Sequence, residues 1–246
     1  MRNLKVCIAY NGAAYHGFQR QNNAVTVQQT IEDNISRLLG KSVTINGCSR
    51  TDTGVHAREF FFNCKLDATI PCNGFIKGLN ALLPDDIAVL SCEDADEDFH
   101  ARFCSKGKEY VYVVKNTPVR DVFSQKLALH YVGKLDEKVM DNAAKLFIGE
   151  HDFAAFCKAE AKEHLKSTVR TVHDFSVTRE DDNVLFTVSG NGFLHNMVRI
   201  MVGTLIYVNE NKRSENDILR SLETGDREDA GKTIPPEGLY LNKVFY

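Results

Sequence analysis

The chain has 246 residues, 43% of them hydrophobic, and a formal net charge of -3. That length suits one or two domains with a well-buried core, and the mild acidity argues against a protein that coats nucleic acid through bulk charge. No apolar run approaches the roughly 20 residues that cross a bilayer, and the first ten residues are too short an apolar segment for a leader, so the expectation is a cytoplasmic protein without membrane contact.

In chain order, residues 4–10 read as a strand and 27–39 as a helix with Val27, Ile31, Ile35, Leu38 and Leu39 on one side. Thr26 followed by Gln29 fits a capping box, and Gly40 suits the stop. Strands at 43–48 and 60–66, a helix at 75–83 and a strand at 87–92 follow; this β-α-β-β-α-β order is that of a ferredoxin-like unit. A second set comes after the acidic run at 93–98: strands at 109–115 and 127–132, a helix at 136–148, strands at 168–178 and 184–189, helices at 193–208 and 215–222, and a strand at 240–245. The expected fold class is therefore α+β: two ferredoxin-like halves, residues 1–104 and 105–246, with antiparallel sheets side by side and a cleft between them. The final strand has the option of packing back on the sheet.

Seven cysteines, Cys7, Cys48, Cys64, Cys72, Cys92, Cys104 and Cys157, contain no C-x-x-C pair, and there is no H-E-x-x-H, so neither a disulfide framework nor a metal site is expected. Gly40-Lys41-Ser42 hints at a phosphate loop, but Ile35 stands where the first glycine belongs. Because the acids cluster in runs, Arg102, Lys106 and Lys108, and Lys158, Lys162, Lys166 and Arg170, remain as basic strips that are either solvated faces or phosphate contacts.

Three stretches carry chemistry. Ser49-Arg50-Thr51-Asp52-Thr53-Gly54-Val55-His56-Ala57 is a turn built around an acid, with Arg50 as a neighbouring cation and Gly54 letting the chain fold back. In residues 191–203, Arg199 stands in an otherwise apolar helix, which leaves it either paired or snorkelling to solvent. In residues 99–112, Tyr110 follows Lys108 where an aromatic ring has the option of stacking on a base, whereas Tyr112 fits sheet packing.

Together with Tyr10-Asn11-Gly12, Tyr15-His16-Gly17-Phe18-Gln19, Val27-Gln28, Leu79-Asn80, Leu83-Pro84, Phe99-His100-Ala101-Arg102-Phe103, His151-Asp152-Phe153, Gly192-Phe193-Leu194 with Asn196-Met197-Val198-Arg199, and Pro235-Pro236-Glu237-Gly238-Leu239, these residues resemble the TruA-type tRNA pseudouridine synthases over nearly the whole chain. The resemblance implies cofactor-free isomerisation of uridine in the tRNA anticodon arm, at positions 38 to 40, by a homodimer whose cleft takes RNA. It implies Asp52 as nucleophile toward either the uracil ring or the ribose carbon, with Arg199 pairing with Asp52. It also implies Arg50 in the space vacated by the flipped nucleotide, Tyr110 stacked on the uracil and assisting proton removal from C5, and Lys108, His56 and Arg102 among the substrate-binding residues. Phe18 for a Trp, Ser49 for a Gly, Thr53 for an Ala, and Cys104-Ser105 and Ile234 depart from the family's usual pattern. None removes a reacting group, and the identity of the RNA stays open. Two rivals belong to other classes: an aspartic peptidase through Asp52-Thr53-Gly54, which has no second such triplet here, and a non-catalytic RNA-binding module.

Overall fold

The computed structural model describes residues 1–67, 69–162 and 165–246. They form two compact units, Met1–Lys106 with Tyr240–Tyr246, and Gly107–Leu239. The architecture is mixed α and β with mostly antiparallel strands, as the sequence order implied.

The first unit runs β1 (Arg2–Tyr10), α1 (Val27–Leu39), β2 (Asn46–Gly47), β3 (His56–Leu66), α2 (Cys72–Asn80) and β4 (Ile87–Ala95). Its strands lie in the order β4-β1-β3, the ferredoxin-like arrangement, with β2 antiparallel beside β3. Strand alternation builds the core: Leu4, Val6 and Ile8 of β1 face Cys64, Phe62 and Phe60 across the antiparallel ladder, and all six are wholly buried. Val27, Ile31 and Ile35 of α1 and Phe75 and Leu79 of α2 supply the helical part of the core. The α1 helix begins where the Thr26 hydroxyl accepts from Gln29 N at 3.3 Å and ends at Gly40 in the left-handed region, φ 69°. α2 starts three residues earlier than its apolar pattern suggests because Pro71, φ −64°, sits at the cap position and leads straight into a helical turn.

The second unit runs β5 (Gly107–Lys115), β6 (Leu129–His130), α3 (Glu137–Ala144), β7 (Gly149–Asp152), α4 (Ala159–Lys162), β8 (Val169–Glu180), β9 (Asn183–Gly190), α5 (Met197–Asn209) and α6 (Glu215–Thr224). Its antiparallel order is β5-β9-β8-β7, with β6 parallel to β5. α3 packs on β8 and on α5, which is buried nearly all round. α5 begins at Met197 and not at 193: Asn196 takes φ 64°, a left-handed conformation that no helix continues through.

The last strand, β10 (Leu239–Phe245), belongs with the first unit. Tyr240 and Leu241 pair in parallel with His56 and Ala57, and Tyr10 of β1 pairs with Ala57 from the other side, so β3 starts four residues before its own alternating pattern.

Candidate active site

Asp52 sits half-buried at the first position of a turn closed by Val55 N donating to Asp52 O at 3.2 Å. Gly54, third in that turn, has φ 77°, the left-handed value a type II turn needs and a side-chain-bearing residue resists. The acid is thus fixed at the mouth of a turn whose backbone is closed by its own hydrogen bond.

Residues 11–18 clamp this turn from behind. Phe18 N donates to Thr51 O at 3.2 Å and Gly54 N to Tyr15 O at 3.3 Å, so the two loops join through their main chains on both sides of Asp52. The approach requires glycine: a Cβ on Gly12 would lie 2.0 Å from Val55 O, and one on Gly17, itself at φ 83°, 2.6 Å from Thr51 O. Side chains complete the clamp. The Tyr10 and Thr51 hydroxyls are 2.9 Å apart, Tyr15 donates to Asp86 Oδ1 at 2.6 Å, and Phe18 stacks on Phe60 at 4.2 Å. Burial and then the Asp86 carboxylate push the Tyr15 phenol above its ordinary range, keeping it a donor.

His56 is 1% exposed, and its Nδ1 accepts from Gly12 N at 3.0 Å, which places the imidazole proton on Nε2. Its ring stacks on Tyr240 at 4.7 Å, and the Arg58 guanidinium lies 5.0 Å from the centre of the same tyrosine ring. His56 therefore couples the Asp52 loop to β10. Arg50 is exposed two residues before Asp52. Arg102 is exposed on the turn that follows β4, its main-chain N donating to His100 Nδ1 at 3.1 Å.

Lys108 and Tyr110 share one side of β5 in the second unit. Tyr110 is 7% exposed and meets Phe193 edge-on at 5.2 Å. Tyr112, expected to pack in the sheet, does so: it is wholly buried and donates to Pro235 O at 2.7 Å. Arg199, half-buried on the first turn of α5, donates from Nε to Ile234 O at 2.7 Å and from Nη1 to Asn196 Oδ1 at 2.8 Å. Of the two readings open for it in the sequence, the structure shows a guanidinium held by hydrogen bonds, one of them to the segment that carries Pro235-Pro236-Glu237-Gly238.

Glu32 was not legible as a site-supporting residue. Only 5% exposed, it accepts from Arg20 Nε at 2.7 Å, Gln28 Nε2 at 2.8 Å and Ile45 N at 3.0 Å, and so ties the polar loop after Phe18 to α1 and to the approach to β2. The available sign was an acid at i+4 from Gln28 between the core positions Ile31 and Ile35.

The chain matches the model of the tRNA pseudouridine synthase family over residues 6–104 and 143–246, and it belongs to that family of isomerases. Arg50, Asp52, His56, Arg102 and Arg199 fall within the matched segments, while Lys108 and Tyr110 fall between them. At full length the chain is 45% identical over 246 residues to the tRNA pseudouridine synthase A of Acetivibrio thermocellus, covering 100% of both chains. It is 44% identical over 247 residues to that of Ruminiclostridium cellulolyticum and 43% over 246 to that of Brevibacillus brevis, again covering 100% of each chain.

Proposed function

We propose that this chain converts uridine to pseudouridine in the anticodon stem-loop of tRNA, at positions 38 to 40, with Asp52 as the nucleophile. The isomerisation is redox-neutral: the bond from uracil N1 to the ribose C1′ breaks, the ring turns, C5 bonds to C1′, the proton on C5 leaves and N1 takes up a proton, so that substrate and product hold the same atoms. No external electron carrier or group donor enters that balance. The observation that supports the reading most directly is the setting of Asp52, a carboxylate at a turn that two glycines and two main-chain hydrogen bonds hold in place.

In this reading Asp52 attacks the uracil ring or the ribose carbon, and an ionised carboxylate serves either route. Tyr110 stacks on the flipped uracil and assists removal of the C5 proton, and Arg50 fills the space the nucleotide leaves. Arg199 supplies the counter-charge to Asp52 in the reacting complex. Arg102 and Lys108 contact the RNA backbone, and His56 serves binding by holding Gly12 against the Asp52 loop. A homodimer in the cytoplasm completes the proposal. The exposed apolar side chains of Val119, Val122 and Phe123 support contact between copies, and seven free cysteines fit a reducing compartment.

The test is tritium release from tRNA transcripts carrying [5-³H]uridine, without added metal or nucleotide. The parent protein is expected to release tritium from the anticodon arm and Asp52→Asn to release none while still binding tRNA. An active Asp52→Asn variant, or release from another arm alone, refutes the assignment.

A further inference from the structure

The turn between β4 and β5 is anchored at its base and bare at its tip. Asn3 Nδ2 donates to Phe99 O at 2.9 Å and Asn63 Nδ2 to Asn3 Oδ1 at 3.0 Å. Asn63 Oδ1 in turn accepts from Ala101 N at 3.0 Å, and the Tyr246 hydroxyl donates to Ala101 O at 2.8 Å. Asn3 and Asn63 are buried and Ala101 is wholly so; the Lys5 ammonium packs over the Phe99 and Tyr246 rings that flank it. The turn closes on itself as well, with Phe103 N and Cys104 N both donating to His100 O, at 3.1 and 3.0 Å.

On this fixed base the Phe103 ring stands 76% exposed. Its inner side rests on the His100 ring at 4.3 Å, and the Arg102 guanidinium lies 6.0 Å from its centre. Here the backbone is pinned, the ring is backed by a second ring, and the residue remains largely exposed.

We propose that Phe103, backed by His100, is a stacking platform for one unpaired base of the tRNA. The idea rests on tRNA being the substrate and adds a contact that the catalytic reading does not use. An exposed ring with a guanidinium over it matches a nucleobase and its adjoining phosphate. Arg102 and Lys106, both exposed, flank the ring within a few residues and supply cations for the RNA backbone. Asp96, Glu97 and Asp98 are exposed on the approach to the turn and repel phosphate, so the strand of RNA runs along the Phe103 to Lys106 side.

The experiment titrates tRNA against the full-length protein and its Phe103→Ala, Phe103→Leu and Phe103→Tyr variants, with melting temperature and size-exclusion elution measured for each. Ala and Leu are expected to raise Kd roughly 5- to 100-fold, the range that loss of one base–aromatic stack gives, and Tyr to stay within about 2-fold of the parent. Unchanged affinity in Phe103→Ala overturns the proposal, as does a Leu variant that binds like the parent, since that points to apolar contact without stacking. A shift of Phe103→Ala to smaller assemblies overturns it too and assigns the ring to contact between copies. Parent protein that binds tRNA but forms no pseudouridine refutes the catalytic reading alone, because the titration reads affinity and not turnover.

Discussion

Gly12→Ala is the sharpest test of how the Asp52 loop is held. The added Cβ would lie 2.0 Å from Val55 O and 2.7 Å from Val55 C, and real Cβ atoms essentially never approach within 3.0 Å. The obstacle is main chain, so no rotamer change relieves it; moving from 2.0 to 3.0 Å separates the two loops by about 1 Å. The same displacement strains the bond from Gly12 N to His56 Nδ1 and the pair of main-chain bonds on either side of Asp52. Overpacking of this kind costs about 1–3 kcal/mol, which for a chain of this size lowers Tm by roughly 2–12 °C. A 1 Å misplacement of a reacting group costs on the order of 100-fold in rate. The assay is single-turnover tritium release with saturating enzyme, beside a thermal melt and a tRNA titration, with Gly40→Ala as control. Gly40 also has a positive φ, 69°, but open space around its Cβ, so that variant is expected to lose about 1–2 kcal/mol of stability and no turnover. Parent-like turnover in Gly12→Ala, or an equal loss in Gly40→Ala, would show that close approach of the loops does not position the acid.

Two further outcomes are expected. Arg199→Met should abolish tritium release while tRNA affinity changes by less than about 3-fold, and Arg199→Lys should recover little because one ammonium cannot reproduce the planar fork that reaches Ile234 O and Asn196 Oδ1 together; a fully active Met variant counts against its role. At the start of α6, the Ser214 N–H and hydroxyl, followed by Arg220, hold the Asp217 carboxyl below its usual range. A depressed folded-state pKa adds stability above the ordinary value of 3.8 that is lost as pH falls through the folded value, so Asp217→Asn should cost about 1 kcal/mol at pH 7 and flatten the decline of Tm below about pH 4; an unchanged Tm at pH 7 refutes the cap's contribution.

What could be read from the sequence was what local chemistry decides. The 27–39 helix is marked by its own cap at Thr26 and its own glycine stop at Gly40, and the structure keeps both bounds. The turn at Asp52 is likewise written in Gly54, which can take φ 77° at no steric cost. Contacts decided by distant segments were not legible. β7 carries Gly149-Glu150-His151-Asp152, a run without alternation, and is a strand because β8 offers it an edge. The early start of β3 depends on partners on both sides, Tyr10 of β1 and, more than 180 residues away, Tyr240 and Leu241 of β10. In the sequence Tyr10-Asn11-Gly12 and Tyr15-His16-Gly17 are motif residues and no more. That their glycines exist to let one main chain touch another follows only once both loops are placed.

The pairing of β10 with β3 has a temporal side. Strand β3 is synthesised early, and Arg58 on it meets Asn242 only after a further 184 residues have been added. At roughly 5–20 residues per second, that interval lasts on the order of 10–40 s. Throughout it the His56 and Ala57 edge has no strand to pair with and His56 lacks the Tyr240 ring beneath it, so the loop bearing Asp52 is built at the beginning of translation and buttressed near its end. Half-made chains thus carry the acid without its full support, and Tyr240 is the residue whose arrival separates them from finished ones.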